Sequence, residues 1–195
     1  MDRGGQPDQP DPFRVKAPEP PPAPEIVWYG SPNFWHGRPN GPPIALVIHT
    51  MGGTLAGCDS WFGQSMSQVS AHYGVGLGGA IHQYVQLGDR AWANGVLETG
   101  NLWPGPDHVN PNDLTVSVET EDLGNGSQPV TDEEYESTLY ACQQAMSAYP
   151  ETIEWLLSHD DISPSSRPNC CGDRWKESGR FVNLALALGL GTVSS

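Results

Sequence analysis

Basic residues are scarce in this chain. Nine Lys and Arg stand against 23 Asp and Glu, leaving a formal net charge of −14 over 195 residues. A surface that displaces counterions from phosphates needs clustered Lys and Arg, so nucleic acid is excluded as a partner. The same imbalance excludes electrostatic docking on anionic membranes. Long apolar runs are also missing. No stretch approaches the ~18 residues of a bilayer-spanning helix, so no membrane insertion is expected. The N-terminus carries no basic-then-apolar leader pattern, which predicts a protein made in the cytoplasm without a signal peptide. Cysteine is sparse: Cys58, Cys142, Cys170 and Cys171 are too scattered for a disulfide framework, and adjacent cysteines seldom pair with each other. The short metal motifs CxxC and HExxH are absent.

Proline and glycine are abundant, at 19 and 23 residues. The prolines crowd residues 1–25, as in Ala17-Pro-Glu-Pro-Pro-Pro-Ala-Pro24. That segment cannot bury enough apolar surface to offset its ordering entropy, so it reads as a disordered or polyproline-like arm. Residues 26–190 hold enough Trp, Leu, Ile and Val for one domain, followed by a short tail at 191–195.

Within the domain, Ile44-Ala-Leu-Val-Ile-His49 is a continuous apolar run, as in a strand buried on both faces. Thr54 caps a short helix to Gln64. Ala71–Gly76 and Ala80–Gln86 read as a hairpin around Leu77-Gly-Gly79. Thr115-Val-Ser-Val-Glu119 is a β-branched strand. Thr131-Asp-Glu-Glu134 is a capping box opening a helix with Tyr135, Leu139, Cys142, Met146 and Tyr149 on one face. Residues 152–157 are apolar, and a last helix runs over about 174–188, ending near Gly189. The order β-α-β-β-β-α-α predicts an α/β fold: a mixed central β-sheet flanked by helices.

The chemistry concentrates in His159-Asp-Asp-Ile-Ser-Pro-Ser-Ser-Arg-Pro-Asn-Cys-Cys-Gly172. Here a histidine and a cysteine pair lie on one turn-rich loop. His49 sits where a buried strand meets Gly52-Gly53, and ligands are often held where a rigid element meets a loop. Two imidazoles and one thiolate make three protein ligands and leave a fourth position open, the arrangement of a catalytic zinc. His36 and His108 fall in loops and read as ordinary exposed residues. His72 and His82 read as core or rim residues of the hairpin, and Cys58 and Cys142 as packed thiols. Glu119, at a strand end, is placed to move a proton, but Glu121 shares its strand parity and Asp122 follows. Pattern alone leaves all three open.

Together these residues resemble the zinc-dependent N-acetylmuramoyl-L-alanine amidase family, which includes phage endolysins, cytoplasmic recycling amidases and peptidoglycan recognition proteins. The landmarks stand in order over roughly residues 40–187. They are Leu46-Val-Ile-His-Thr50, Val69-Ser-Ala-His-Tyr-Gly-Val75, Ala91-Trp-Ala-Asn-Gly95, Val116-Ser-Val-Glu119, His159-Asp-Asp-Ile-Ser-Pro164 and Cys170-Cys-Gly172. The resemblance implies a Zn²⁺ held by His49, His159 and Cys170, with Cys171 where proline is usual. It implies Glu119 as the catalytic carboxylate and Arg167 as the counterpart of the family's lysine facing the oxyanion. Other members use a hairpin tyrosine, and that position falls on Ala71, with Tyr73 nearby. Trp92, Asn94 and Trp103 lie in the loop expected to line the substrate groove, with packing of the tryptophans into the fold as the alternative. The implied partner is bacterial peptidoglycan and the expected state a monomer. The first expectation is a cell-wall amidase of endolysin or autolysin type. A cytoplasmic amidase recycling soluble muropeptides and a non-catalytic peptidoglycan-binding module are its rivals.

Overall fold

In the computed structural model, residues 23–123 and 128–193 are described. Most of the expected Pro-rich arm, residues 1–22, and the last two residues of the tail lie outside them. The centre is a seven-stranded mixed sheet of order β1-β5-β4-β7-β3-β8-β9. Its strands are β1 Ile26–Trp28, β3 Ala45–Thr50, β4 Tyr73–Val75, β5 Ile81–Gln83, β7 Thr115–Thr120, β8 Trp155–Ser158 and β9 Gly191–Thr192. β2 Phe34–Trp35 and β6 Arg90–Ala91 form a separate antiparallel pair. All neighbours in the large sheet are parallel except the β4–β5 hairpin.

The buried β3 and β7 are Val/Ile-rich because both faces of the sheet are covered. One face carries Leu46, Ile48, Val116, Val118 and Leu156 against helices α2 Asp132–Ala148 and α4 Arg180–Leu188. The other carries Ala45, Val47 and Leu157 under the long connection that contains Trp103 and Leu114. The alternation of strand side chains sorts His49 and Glu119 onto this second face, away from the helices.

Three expectations shift in detail. The buried face of α2 is Thr138, Ala141, Cys142 and Ala145, with Tyr135, Leu139 and Met146 flanking it. Small alanines bring the helix close to the sheet, and Glu134 is drawn inward by Arg174. The last helix is two: α3 Asp173–Lys176 and α4, parted at Gly179 with φ 74°. That left-handed residue lets Trp175 and Leu184 both enter the main core. The apolar stretch before His159 is a strand, β8, inserted beside β3. The first residues of the expected tail, Gly191 and Thr192, join the sheet as β9. Among the described residues, no helix is long and apolar enough to cross a membrane.

Candidate metal centre and its pocket

Parallel register brings the site together. His49 pairs with Glu119 across β3 and β7. On its other side β3 pairs Ile48 with Ser158 of β8, so the next step sets His49 beside His159. Their ring centroids lie 4.4 Å apart. Cys170 reaches the same point from the loop after β8: its Sγ is 3.9 Å from His49 Nδ1 and accepts the Thr50 N–H at 3.4 Å. The donor atoms of His49, His159 and Cys170 all lie within 4.8 Å of one another. Tetrahedral zinc with bonds of about 2.0–2.3 Å separates its ligands by roughly 3.3–3.7 Å, so small side-chain adjustments close this set on an ion. Donor chemistry fits as well, since two imidazoles and a thiolate suit zinc.

The far edges of the rings are already committed. His49 Nε2–H donates to Asn94 Oδ1 at 3.0 Å, and His159 Nε2–H to the Asn94 carbonyl at 3.2 Å. Each Nδ1 is thereby left as the free donor. Asn94 is itself fixed: its Nδ2 donates to Thr115 Oγ1 at 2.7 Å and its N–H to Asn112 Oδ1 at 2.8 Å. Burial, then the neighbouring His159, hold His49 well below the usual histidine range. Burial pushes His159 down to about 4. Both rings are neutral at neutral pH, as ligands must be.

Glu119 stands 3.9 Å from His49 Nδ1, and its Oε2 is buried without a hydrogen-bond partner among the described residues. Burial, then repulsion from Asp122, push its carboxyl up to about 8. Glu121 is occupied elsewhere, accepting the Leu77 N–H at 2.9 Å on the hairpin. Strand pairing ends at Thr120, so the shared parity that left these acids open stops one residue before Glu121. Asp122 accepts the Gly53 N–H at 3.1 Å. Of the two adjacent thiols, Cys170 faces the rings, while Cys171 is fully buried in the main core.

A cavity of about 660 Å³ opens over this centre, lined by His49, Glu119, His159 and Cys170 at its floor. Trp92 and Arg167 line it too. Arg167 is exposed; its guanidinium donates to the Ser166 carbonyl at 3.1 Å and its backbone N–H to the Ser163 carbonyl at 2.9 Å. Its loop is pinned by Glu98, whose Oε2 accepts the Ser165 and Ser166 N–H groups. Asn94 lies against both histidine rings and borders the adjoining cleft. Trp103 does neither: it packs with Ala45, Val47 and Leu157 in the core and is 7% exposed. Ala71 and Tyr73 are buried and point into the packing. His72 is buried with its Nδ1 accepting the Ser117 N–H at 3.1 Å, while His82 bonds Asp59 at 2.8 Å. Sequence reasoning did not foresee the part played by α1 Leu55–Phe62, whose Gly57, Cys58, Trp61 and Phe62 form a wall of the cavity. The spacing of Leu55, Cys58, Trp61 and Phe62 along that helix was the available signal.

The N-acetylmuramoyl-L-alanine amidase domain signature matches residues 39–173. The 1,6-anhydro-N-acetylmuramyl-L-alanine amidase AmpD of Haemophilus influenzae is 36% identical over 101 residues, 51% of this chain and 50% of that protein. The match thus spans about half the length of that relative. Among solved structures, a selenomethionine derivative of AmpD superposes with a TM-score of 0.66 at 23% identity, covering 82% of this chain and 94% of its own. A mutant of PlyL superposes with a TM-score of 0.61 at 17% identity, covering 86% and 99%. At these identities the structural likeness is one of fold.

Proposed function

Because the chain belongs to the N-acetylmuramoyl-L-alanine amidase family, we propose that it hydrolyses the amide between N-acetylmuramic acid and L-alanine in soluble 1,6-anhydro muropeptides. The observation that carries the amidase reading is the open floor formed by His49, His159, Cys170 and Glu119. A zinc ion bound there supplies Lewis acidity to the scissile carbonyl and to water. Glu119 takes the proton from the attacking water and passes it to the L-alanine nitrogen as the C–N bond breaks. A carboxyl that burial raises above the usual carboxylate range can both accept and return that proton. Arg167 faces the charge that grows on the carbonyl oxygen. Asn94 holds both rings in the tautomer that presents Nδ1.

Two observations favour a soluble substrate over the wall-lytic reading expected first. The AmpD relative carries the 1,6-anhydro specificity in its name. A net charge of −14 also opposes adsorption on polyanionic walls. A non-catalytic binding module is disfavoured because the third donor, Cys170, is present and turned to the site.

The test is peptide release by the zinc-loaded protein from a 1,6-anhydromuramyl tripeptide and, separately, from insoluble peptidoglycan. Release from the first, abolished by a chelator and by Glu119→Gln, is expected. Release from the polymer alone would overturn the substrate assignment, and release from neither would leave a binding module.

A further inference from the structure

The family match begins at residue 39. The segment before it nevertheless props the wall of the cavity from outside its lining. Asn33 is 1% exposed. Its Nδ2 donates to the Gln64 carbonyl at 2.9 Å, Ser67 Oγ at 2.9 Å and the Val69 carbonyl at 3.1 Å. Its own carbonyl accepts Ser70 Oγ–H at 2.5 Å. One buried amide thus shapes the loop that carries Val69 and Ser70 into the cavity wall. It also fixes Gln68 at φ 53°, which side chains other than glycine seldom adopt.

Two residues on, Trp35 pairs with Arg90 in the β2–β6 ribbon. Its ring meets that of Trp92 at a centroid distance of 5.3 Å and a tilt of 53°. The Arg90 guanidinium lies over the Trp35 ring, 5.2 Å from its centroid. Trp92 lines the cavity, so Trp35 continues that wall outward, and it remains 41% exposed. An exposed indole held by a strand pair, a cation and a second indole loses little freedom on binding. The indole is flat, apolar and uncharged; one side is taken by the Arg90 guanidinium, and the exposed remainder is left to solvent. A pyranose ring presents one face of C–H groups that stacks on such a surface, whereas a stem peptide with its carboxylates has no matching face.

We propose that Trp35 and Trp92 form a stacking platform for the N-acetylhexosamine β-linked to the muramoyl residue, so that the pocket distinguishes disaccharide from monosaccharide substrates. This rests on the amidase reading of the adjoining centre. The platform is outside the catalytic residues and acts on binding, not on the bond-breaking step.

Calorimetry on the zinc-loaded protein tests it with two peptide-free ligands: N-acetylglucosaminyl-N-acetylmuramic acid and N-acetylmuramic acid. Trp35→Ala is expected to weaken the disaccharide about tenfold, as for the loss of one aromatic contact of about 1.4 kcal/mol, and to leave the monosaccharide unchanged. Trp35→Phe should restore most of the difference, with thermal melting of both variants matching the parent. Equal binding of the disaccharide by parent and Trp35→Ala would overturn the proposal, as would an equal loss on both ligands. Loss that instead tracks the length of an added stem peptide would assign the platform to the peptide and overturn it too. If the parent binds the sugars with the predicted difference but cleaves no amide, the amidase reading falls and the platform stands.

Discussion

His49 donates its Nε2–H to the side-chain oxygen of Asn94 at 3.0 Å. The carbonyl of the same Asn94 receives the Nε2–H of His159 at 3.2 Å. A single residue on a loop therefore sets the tautomer and the ring plane of both histidines. Outer partners of metal-bound imidazoles act in this way, fixing orientation and raising ligand basicity.

Asn94→Ala should accordingly lower zinc affinity by about 10–100-fold while both histidines remain in place. Competition with a chromophoric chelator measures this directly. Affinity equal to the parent's would show that His49 holds its ring without the Asn94 side chain, the main-chain carbonyl to His159 being kept in this variant.

The two thiols should separate cleanly. Cys170→Ser is expected to lose stoichiometric zinc, since Cys170 Sγ faces His49. Cys171→Ala should keep the metal and lose about 1 kcal/mol of stability through a small void in the main core. Metal content by atomic emission and urea denaturation tell the two apart; the reverse pattern would exchange their roles.

Arg174 and Glu134 form an ion pair in which both side chains are almost fully buried. Arg174 also donates to the Glu121 and Gln128 carbonyls, at 2.7 and 2.8 Å, tying α3 to the chain after β7. Glu134→Ala leaves the guanidinium buried without its partner and should cost about 3–5 kcal/mol. Replacing both residues by Met should recover a large part of that loss in a double-mutant cycle. Additive losses would show that the pair is not coupled.

His72 gives the fold a pH dependence of its own. Burial, then the nearby Arg38 charge, hold it down to about 3, well below the usual histidine range. The unfolded chain therefore binds this proton first as pH falls. Stability from neutral His72 is complete above about 6.5 and drains away toward about 3, on the order of a few kcal/mol in all. His72→Gln should flatten the stability profile across that window relative to the parent. Parallel profiles would mean that His72 takes up its proton without unfolding the hairpin.

Much of this site was legible in the sequence because strands announce themselves by local pattern. The apolar run ending at His49 and the β-branched run ending at Glu119 both appear as strands, and the fold class follows from their alternation with helices. The break at Gly179 was visible as a glycine, but not as a stop, because helix propensity across 174–188 is otherwise continuous. Trp103 shows the limit from the other side: loop composition alone does not tell a groove tryptophan from one packed beneath the sheet, and its core contacts are with residues far away in the chain.

By itself, the sequence determined which chemistry was available: two histidines, a thiol and a carboxylate at element ends, in the order of the family. Only the tertiary structure decided how they are used. Parallel register set His49 between Glu119 and His159. The same packing turned Cys170 to the rings and buried Cys171 in the core. It also recruited Asn33, Trp35 and Asn94 from segments with no metal-binding pattern of their own. Side-chain period fixes which face a residue takes along its own strand. Which neighbours meet it there depends on contacts between residues distant in sequence, and no local pattern encodes those.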